Sequence, residues 1–287
     1  HRASIAIKGR SLVIYEKELN TQAAHQYFLD KLEDLLPKTC KPIILSDAIY
    51  RSPWFKAVEE KGWYWVGRVR GQVSLSKDKH HWETSYQWFD NAYGGTADYI
   101  REVYYGKKAQ FKCQAVIFKR SRKGRAVNKK RGGISQRTND KIHQKDAREP
   151  WLLVFKLPQR FMNKANLVVN LYSQRMQIEE NFRDTKNNKL GIGLECSRSR
   201  STKRFDNLLL IAALILFVLW CLGYAATIKK YNYSLQANTV KHRAVLSFIT
   251  IGREVVDDDR YKIAIDEFNH VLSRISKLTI NIADLDK

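Results

Sequence analysis

Apolar and polar positions alternate along residues 3–9 (ASIAIKG) and 11–18 (SLVIYEKE), a period of two that predicts a strand pair turning at Gly9–Arg10. The period lengthens from Thr21 to Leu36, where Ala24, Tyr27, Phe28, Leu32 and Leu35 fall along one side of a helix. Pro42 to Asp47 is a short continuous apolar run ending in a carboxylate, the pattern of a buried parallel strand. Ser52–Pro53 opens a helix that Gly62 closes. Residues 63–70 (WYWVGRVR) form a further strand, with Arg68 and Arg70 on one face. The order so far, β-β-α-β-α-β, predicts an α/β fold. Residues 71–150 turn polar, with strand-like stretches at 100–106 and 110–118, and read as a β-rich insertion. Trp151 to Leu157 returns to an apolar strand, residues 168–189 read as one long helix, 204–227 are strongly apolar, and the remainder looks helical.

Charge sharpens this picture. Lys and Arg total 51 against 29 Asp and Glu, a net charge of +22 on 287 residues. A surplus of that size repels itself, so a polyanionic partner is expected, nucleic acid before an anionic membrane surface. Lys119, Arg120, Arg122, Lys123, Arg125, Lys129, Lys130 and Arg131 concentrate it in a basic loop, solvated or in contact with DNA regardless of sequence. Hydrophobic residues make up 44% of the chain, a globular composition. Cys40, Cys113, Cys196 and Cys221 are far apart, with no zinc-like spacing, and read as free thiols in a reducing compartment. No signal peptide opens the sequence, which begins at His1 with a strand already under way.

Residues 172–186 are the most informative. On a helix, Tyr172, Arg175, Glu179 and Lys186 fall within about 60° of one another, and Arg183 joins the stripe. One carboxylate among cations and a phenol suits a metal-bound phosphate, with Glu179 on the cation and the Arg and Lys side chains on flanking phosphates. Asp47, at a strand end where α/β sheets place their sites, is the natural companion of Glu179. Each residue also has a plainer reading: Asp47 as a turn or cap residue, Glu179 as a surface carboxylate, Trp151 as core. Arg68 and Arg70 fit a DNA path or a solvated face equally.

Taken together, Tyr172, Arg175, Glu179 and Lys186 match the pattern Tyr-x2-Arg-x3-Glu-x6-Lys, and the chain resembles the DDE transposases of the bacterial IS-four family of insertion sequences. Asp47-Ala48-Ile49-Tyr50 is similar to that family's second-Asp motif. The stretches 13–17 (VIYEK), 62–71 (GWYWVGRVRG) and 177–184 (QIEENFRD) resemble the branch that includes the transposase of transposon Tn-ten. The resemblance implies an RNase H-like catalytic core over residues 1–70 and 151–195, a β-rich insertion over 71–150 and a C-terminal helical region over 196–287. It implies cleavage and joining of DNA at inverted-repeat ends with Mg²⁺ as cofactor, although oxygen ligands suit Mn²⁺ as well. Asp47 and Glu179 would be catalytic metal ligands. Tyr172, Arg175, Arg183 and Lys186 would grip DNA, and Trp151, 21 residues before Tyr172, would stack with an extruded base. The implied partners are transposon-end and target DNA and further copies in a synaptic complex, in a bacterial cytoplasm, at the nucleoid.

One departure matters. The family's first Asp lies on a central strand for which the sequence offers no counterpart, since the earliest Asp is Asp30, inside a predicted helix. The expectation is a truncated copy, inactive as written, with a gap between the Ser4–Lys8 and Ile43–Asp47 strands. The alternatives are a non-catalytic DNA-binding remnant, a different RNase H-like nuclease, or a membrane protein spanning through residues 208–226. The last gains from the basic flanks Lys203, Arg204, Lys229 and Lys230 and loses from Asp206 and Asn207, which suit a helix start in a soluble protein.

Overall fold

The computed structural model describes residues 1–7, 9–18, 24–90, 92–120, 149–161, 163–188, 191–237, 239 and 243–279. The chain divides into two units, residues 25–174 and residues 1–24 with 175–287. All four cysteines are free thiols.

The unit of residues 25–174 is built on a seven-stranded mixed sheet. Its strands are β3 (Ile43–Ser46), β4 (Tyr64–Val69), β5 (Ser74–Ser76), β6 (Glu83–Thr84), β7 (Ala97–Tyr105), β8 (Phe111–Phe118) and β9 (Trp151–Lys156), in the order β3-β4-β9-β8-β7-β5-β6. The continuous apolar run at 43–46 forms the parallel edge strand, paired only with β4 among the described residues. β9 lies antiparallel between β4 and β8, so the strands drawn from residues 71–118 continue the same sheet. Helix α1 (Ala24–Leu35) begins later than the periodicity predicts, and residues 21–23 fall outside the described set. Helix α2 (Ser52–Glu60) carries Pro at its start and ends before Gly62 at φ +71°, a left-handed position that glycine accepts without strain. A short helix α3 (Ser85–Phe89) follows β6. Trp65 stacks on Phe55 of α2 with ring centroids 4.2 Å apart, while Val168, Val169, Leu171 and Tyr172 bury the apolar side of α4 (Ala165–Gln174).

The second unit starts with the expected hairpin, β1 (Arg2–Ala6) antiparallel to β2 (Ser11–Glu16), a two-stranded sheet. It continues with α5 (Met176–Lys186), α6 (Thr202–Ile228), α7 (Asn232–Leu235), α8 (Phe248–Asp257) and α9 (Ile265–Leu278). The helix expected over 168–189 is thus two helices meeting at Arg175. Its halves pack differently: α4 buries its apolar face in one unit, and α5 is held by the hairpin in the other. Helix α6 starts at Thr202, ahead of Asp206, because Ser201 caps it by accepting a hydrogen bond from the Arg204 amide at 3.4 Å. Asp206 faces Lys17 instead, at 3.4 Å.

Helix α6 is long and apolar enough to cross a membrane. In this unit Leu216, Trp220, Cys221 and Ala225 form its core with Ile7, Ile249 and Val271, while Leu210, Ile211, Leu214 and Val218 are exposed. The crossing of α6 and α8 depends on two glycines in reciprocal contact. A Cβ on Gly223 would lie 1.7 Å from the Phe248 carbonyl oxygen, and one on Gly252 would lie 2.0 Å from that of Leu219. These obstacles are backbone and cannot rotate away. Gly223→Ala and Gly252→Ala are each expected to destabilise the helical unit by about 1–3 kcal/mol or more through overpacking. Thermal unfolding followed by far-UV circular dichroism checks this, and an unchanged midpoint in both would rule out so close a crossing.

Candidate functional site

In the unit of residues 25–174, one end of the sheet carries Asp47, Arg68, Arg70 and Trp151. Asp47 directly follows β3 and is exposed. Its position is set by a tight turn in which the Tyr50 amide donates to the Asp47 carbonyl at 3.2 Å. The carboxylate accepts the Ala48 amide at 2.7 Å. Beneath the turn, Trp54 donates its indole N–H to the buried Ser46 hydroxyl at 2.8 Å and packs against Tyr50 at 4.5 Å. Burial, and next the nearby Asp47 charge, push the Tyr50 phenol above its usual pKa.

β3 and β4 are parallel, so the carboxyl end of β3 with Asp47 and that of β4 with Arg68 and Arg70 lie at the same end of the sheet. The antiparallel β9 starts there. Trp151 is in register with Phe118 of β8, and the ladder pairing Arg68 with Leu153 and Val69 with Leu152 leads on to Arg70 beside Trp151. Partners across an antiparallel ladder point to the same face. Tyr172 of α4 meets the Trp151 ring edge-on at 5.2 Å, Phe118 meets it at 6.0 Å, and the Arg120 guanidinium lies over it at 4.6 Å. Tyr172 is itself 1% exposed, so in this unit it acts as support beneath the indole. Glu149, two residues before Trp151, receives both arginines: Arg70 at 2.7 Å and Arg68 at 3.4 Å. The sequence reading missed Glu149 and the Arg120 stack. The one signal for Glu149 was its place just ahead of the apolar strand that starts at Trp151.

In the other unit, α5 has two unlike faces. Gln177, Asn181, Asp184 and Thr185 recur at helical spacing and turn to the hairpin. Gln177 accepts the Ile7 amide at 3.1 Å, and the Asn181 side-chain amide donates to the Ser11 carbonyl at 3.0 Å. Arg2 binds Glu16 through two nitrogens at 2.7 and 2.9 Å, donates to Asn181 and Thr185, and lies 4.3 Å over the Phe182 ring. Arg10 pairs with the buried Asp184 at 2.6 Å. The opposite face leaves Glu179, Arg183 and Lys186 exposed. Glu179 accepts from Arg175, one turn earlier, at 2.6 Å, and Arg183 pairs with Glu180.

Of the predicted residues, Asp47, Trp151 and Tyr172 therefore belong to one unit, and Arg175, Glu179, Arg183 and Lys186 to the other. Among the described residues there is no group of three or more His, Cys, Asp or Glu able to hold a metal. Asp47 and Glu179 offer hard oxygen donors, the type that Mg²⁺ takes one or two at a time, completing its shell with water and substrate phosphate. Glu180 and Asp184 are already committed to arginines. Of the basic run, Lys119 and Arg120 are described and Arg122 to Arg131 lie outside the described residues.

The Arg10–Asp184 pair is largely enclosed, with side-chain exposures of 13% and 8%, so Arg10→Ala or Asp184→Ala strands a charge. Each is expected to cost on the order of 3 kcal/mol, and the double substitution less than the sum. Urea midpoints of the four proteins test the coupling, and strictly additive effects would deny it.

The family model described as Transposase DDE domain matches residues 2–216. No curated protein matches the chain. The mixed sheet with its helices is compatible with a fold of that family.

Proposed function

The chain belongs to the family of transposase DDE domains, and from that premise we propose that it is a transposase of the IS-four type with an RNase H-like core. It acts on DNA at insertion-sequence ends, in a bacterial cytoplasm, and self-associates in a synaptic complex. One observation carries the reading: α5 commits one face to the hairpin and leaves Glu179, Arg183 and Lys186 of the Tyr-Arg-Glu-Lys pattern exposed on the other.

In this reading Asp47 and Glu179 hold Mg²⁺, or Mn²⁺ in its place. Their donor type fits the ion, which when bound stabilises charge on the oxygens of a phosphate undergoing transfer. The chain's own groups do the positioning. Arg175, Arg183 and Lys186 grip backbone phosphates, which fixes the register of the DNA without reading sequence. Trp151, braced edge-on by Tyr172 and Phe118, stacks with an extruded base once Arg120 moves off its ring, and stacking offsets part of the cost of extrusion. Residues 1–70 and 151–195 are the catalytic core in this proposal, 71–150 the insertion and 196–287 the C-terminal helical region. The net charge of +22 supplies long-range attraction to DNA and predicts binding that weakens steeply with salt.

The resemblance calls for three carboxylates, and these 287 residues supply two of them at matching positions. The expected outcome is that the chain as given binds end DNA but leaves it uncut in Mg²⁺ or Mn²⁺. A version carrying an added strand with an Asp ahead of residue 1 should nick it. In that extended version Asp47→Asn or Glu179→Gln should lower cleavage at least about 100-fold while changing DNA affinity little. Gel-based cleavage with parallel fluorescence anisotropy separates the two readouts. Cleavage by the 287-residue chain alone would refute the two-carboxylate argument, and full activity of either carboxylate variant would refute the assigned roles.

A further inference from the structure

The Arg68 and Arg70 guanidinium groups converge on one oxygen of Glu149, Oε2, at 3.4 and 2.7 Å. Glu149 Oε1 and Arg68 Nε are buried and have no hydrogen-bond partner among the described residues. Arg68 and Glu149 are nearly buried, with side-chain exposures of 14% and 12%, while Arg70 is 41% exposed and opens the cluster to solvent. Among the described residues Glu149 is the anion that both arginines share, and the unsatisfied Arg68 Nε and Glu149 Oε1 mark a poorly completed ion cluster. A phosphate has more acceptor oxygens than the one that Glu149 presents, and it suits the arginine fork geometry. The cluster stands beside Trp151 on the same face of the sheet, as the β4–β9 register requires.

We propose that Arg68 and Arg70 form a seat for one backbone phosphate of a DNA strand passing Trp151, and that Glu149 is a built-in stand-in for that phosphate, displaced when the strand binds. The idea rests on the DNA-binding reading above and adds to it a phosphate site and an anion that holds it shut. Glu149 makes the free chain less adhesive to nucleic acid at this seat and keeps both arginines ordered for the strand that replaces it. No bond is made or broken; one anion exchanges for another, and the carboxylate moves into solvent.

The test is fluorescence anisotropy with a labelled duplex bearing a single-stranded end, titrated over a range of salt. The proteins are the full chain, Glu149→Gln, Arg70→Ala and the double variant, each shown by circular dichroism to be folded at the assay temperature. Glu149→Gln keeps the shape and removes the charge, and is expected to tighten binding by about fivefold or more. Arg70→Ala should weaken binding and reduce the salt slope by about 1. In the Arg70→Ala background most of the gain from Glu149→Gln should vanish. Glu102→Gln, at an exposed carboxylate paired with Lys112 at 2.9 Å, controls for net charge and should shift affinity by less than about twofold. If Glu149→Gln behaves like Glu102→Gln, or helps equally without Arg70, the phosphate seat is overturned while the DNA-binding reading stands. If neither the unaltered chain nor Glu149→Gln binds the duplex, both fall together.

Discussion

The backbone ladder that places β9 between β4 and β8 is the constraint on which the sheet-based unit depends. It joins a strand beginning at residue 151 to strands that end at residues 69 and 118, and it satisfies buried amides on both sides of a strand whose Leu152, Leu153, Val154 and Phe155 are fully buried. Its register then dictates the surface chemistry. Trp151 falls in line with Phe118, and Glu149 lands within reach of Arg68 and Arg70. A slip by one residue would turn Trp151 to the opposite face and separate the arginines from their carboxylate.

In the other unit the comparable constraint is ionic. Two arginines of a short hairpin, Arg2 and Arg10, hold α5 through Asn181, Thr185 and Asp184. A two-stranded hairpin has little stability of its own, so these contacts and the apolar contacts of Ile7 and Leu12 with the α6 core support one another. The orientation of α5 follows from them. Glu179, Arg183 and Lys186 are presented because Gln177, Asn181 and Asp184 are occupied.

Anions of the chain itself sit on several of its key cations. Glu149 holds Arg68 and Arg70, Glu179 holds Arg175, and Glu180 holds Arg183. In a protein with a charge of +22, local neutralisation of this kind moderates self-repulsion. The exposed pairs contribute little to stability and exchange readily. Arg68 and Glu149 are nearly buried, with side-chain exposures of 14% and 12%, so their contact is the least screened of these by solvent.

The sequence by itself determined the β-β-α-β-α-β order of the first 70 residues, the hairpin turn, the parallel strand running up to Asp47 and the charged stripe of Glu179, Arg183 and Lys186, because each follows from local periodicity and turn chemistry. Its resemblance to the DDE transposases led to the family that the match over residues 2–216 establishes. Only the tertiary structure decided that the predicted long helix divides at Arg175, that α6 starts at a Ser201 cap, and that Tyr172 is buried as the brace of Trp151. It alone brought Glu149 to Arg68, a pair 81 positions apart. The physical reason is the same in each case. Periodicity records which face of an element is apolar, whereas the choice of partner for that face, and for each buried charge, is made by contacts between segments distant in the chain.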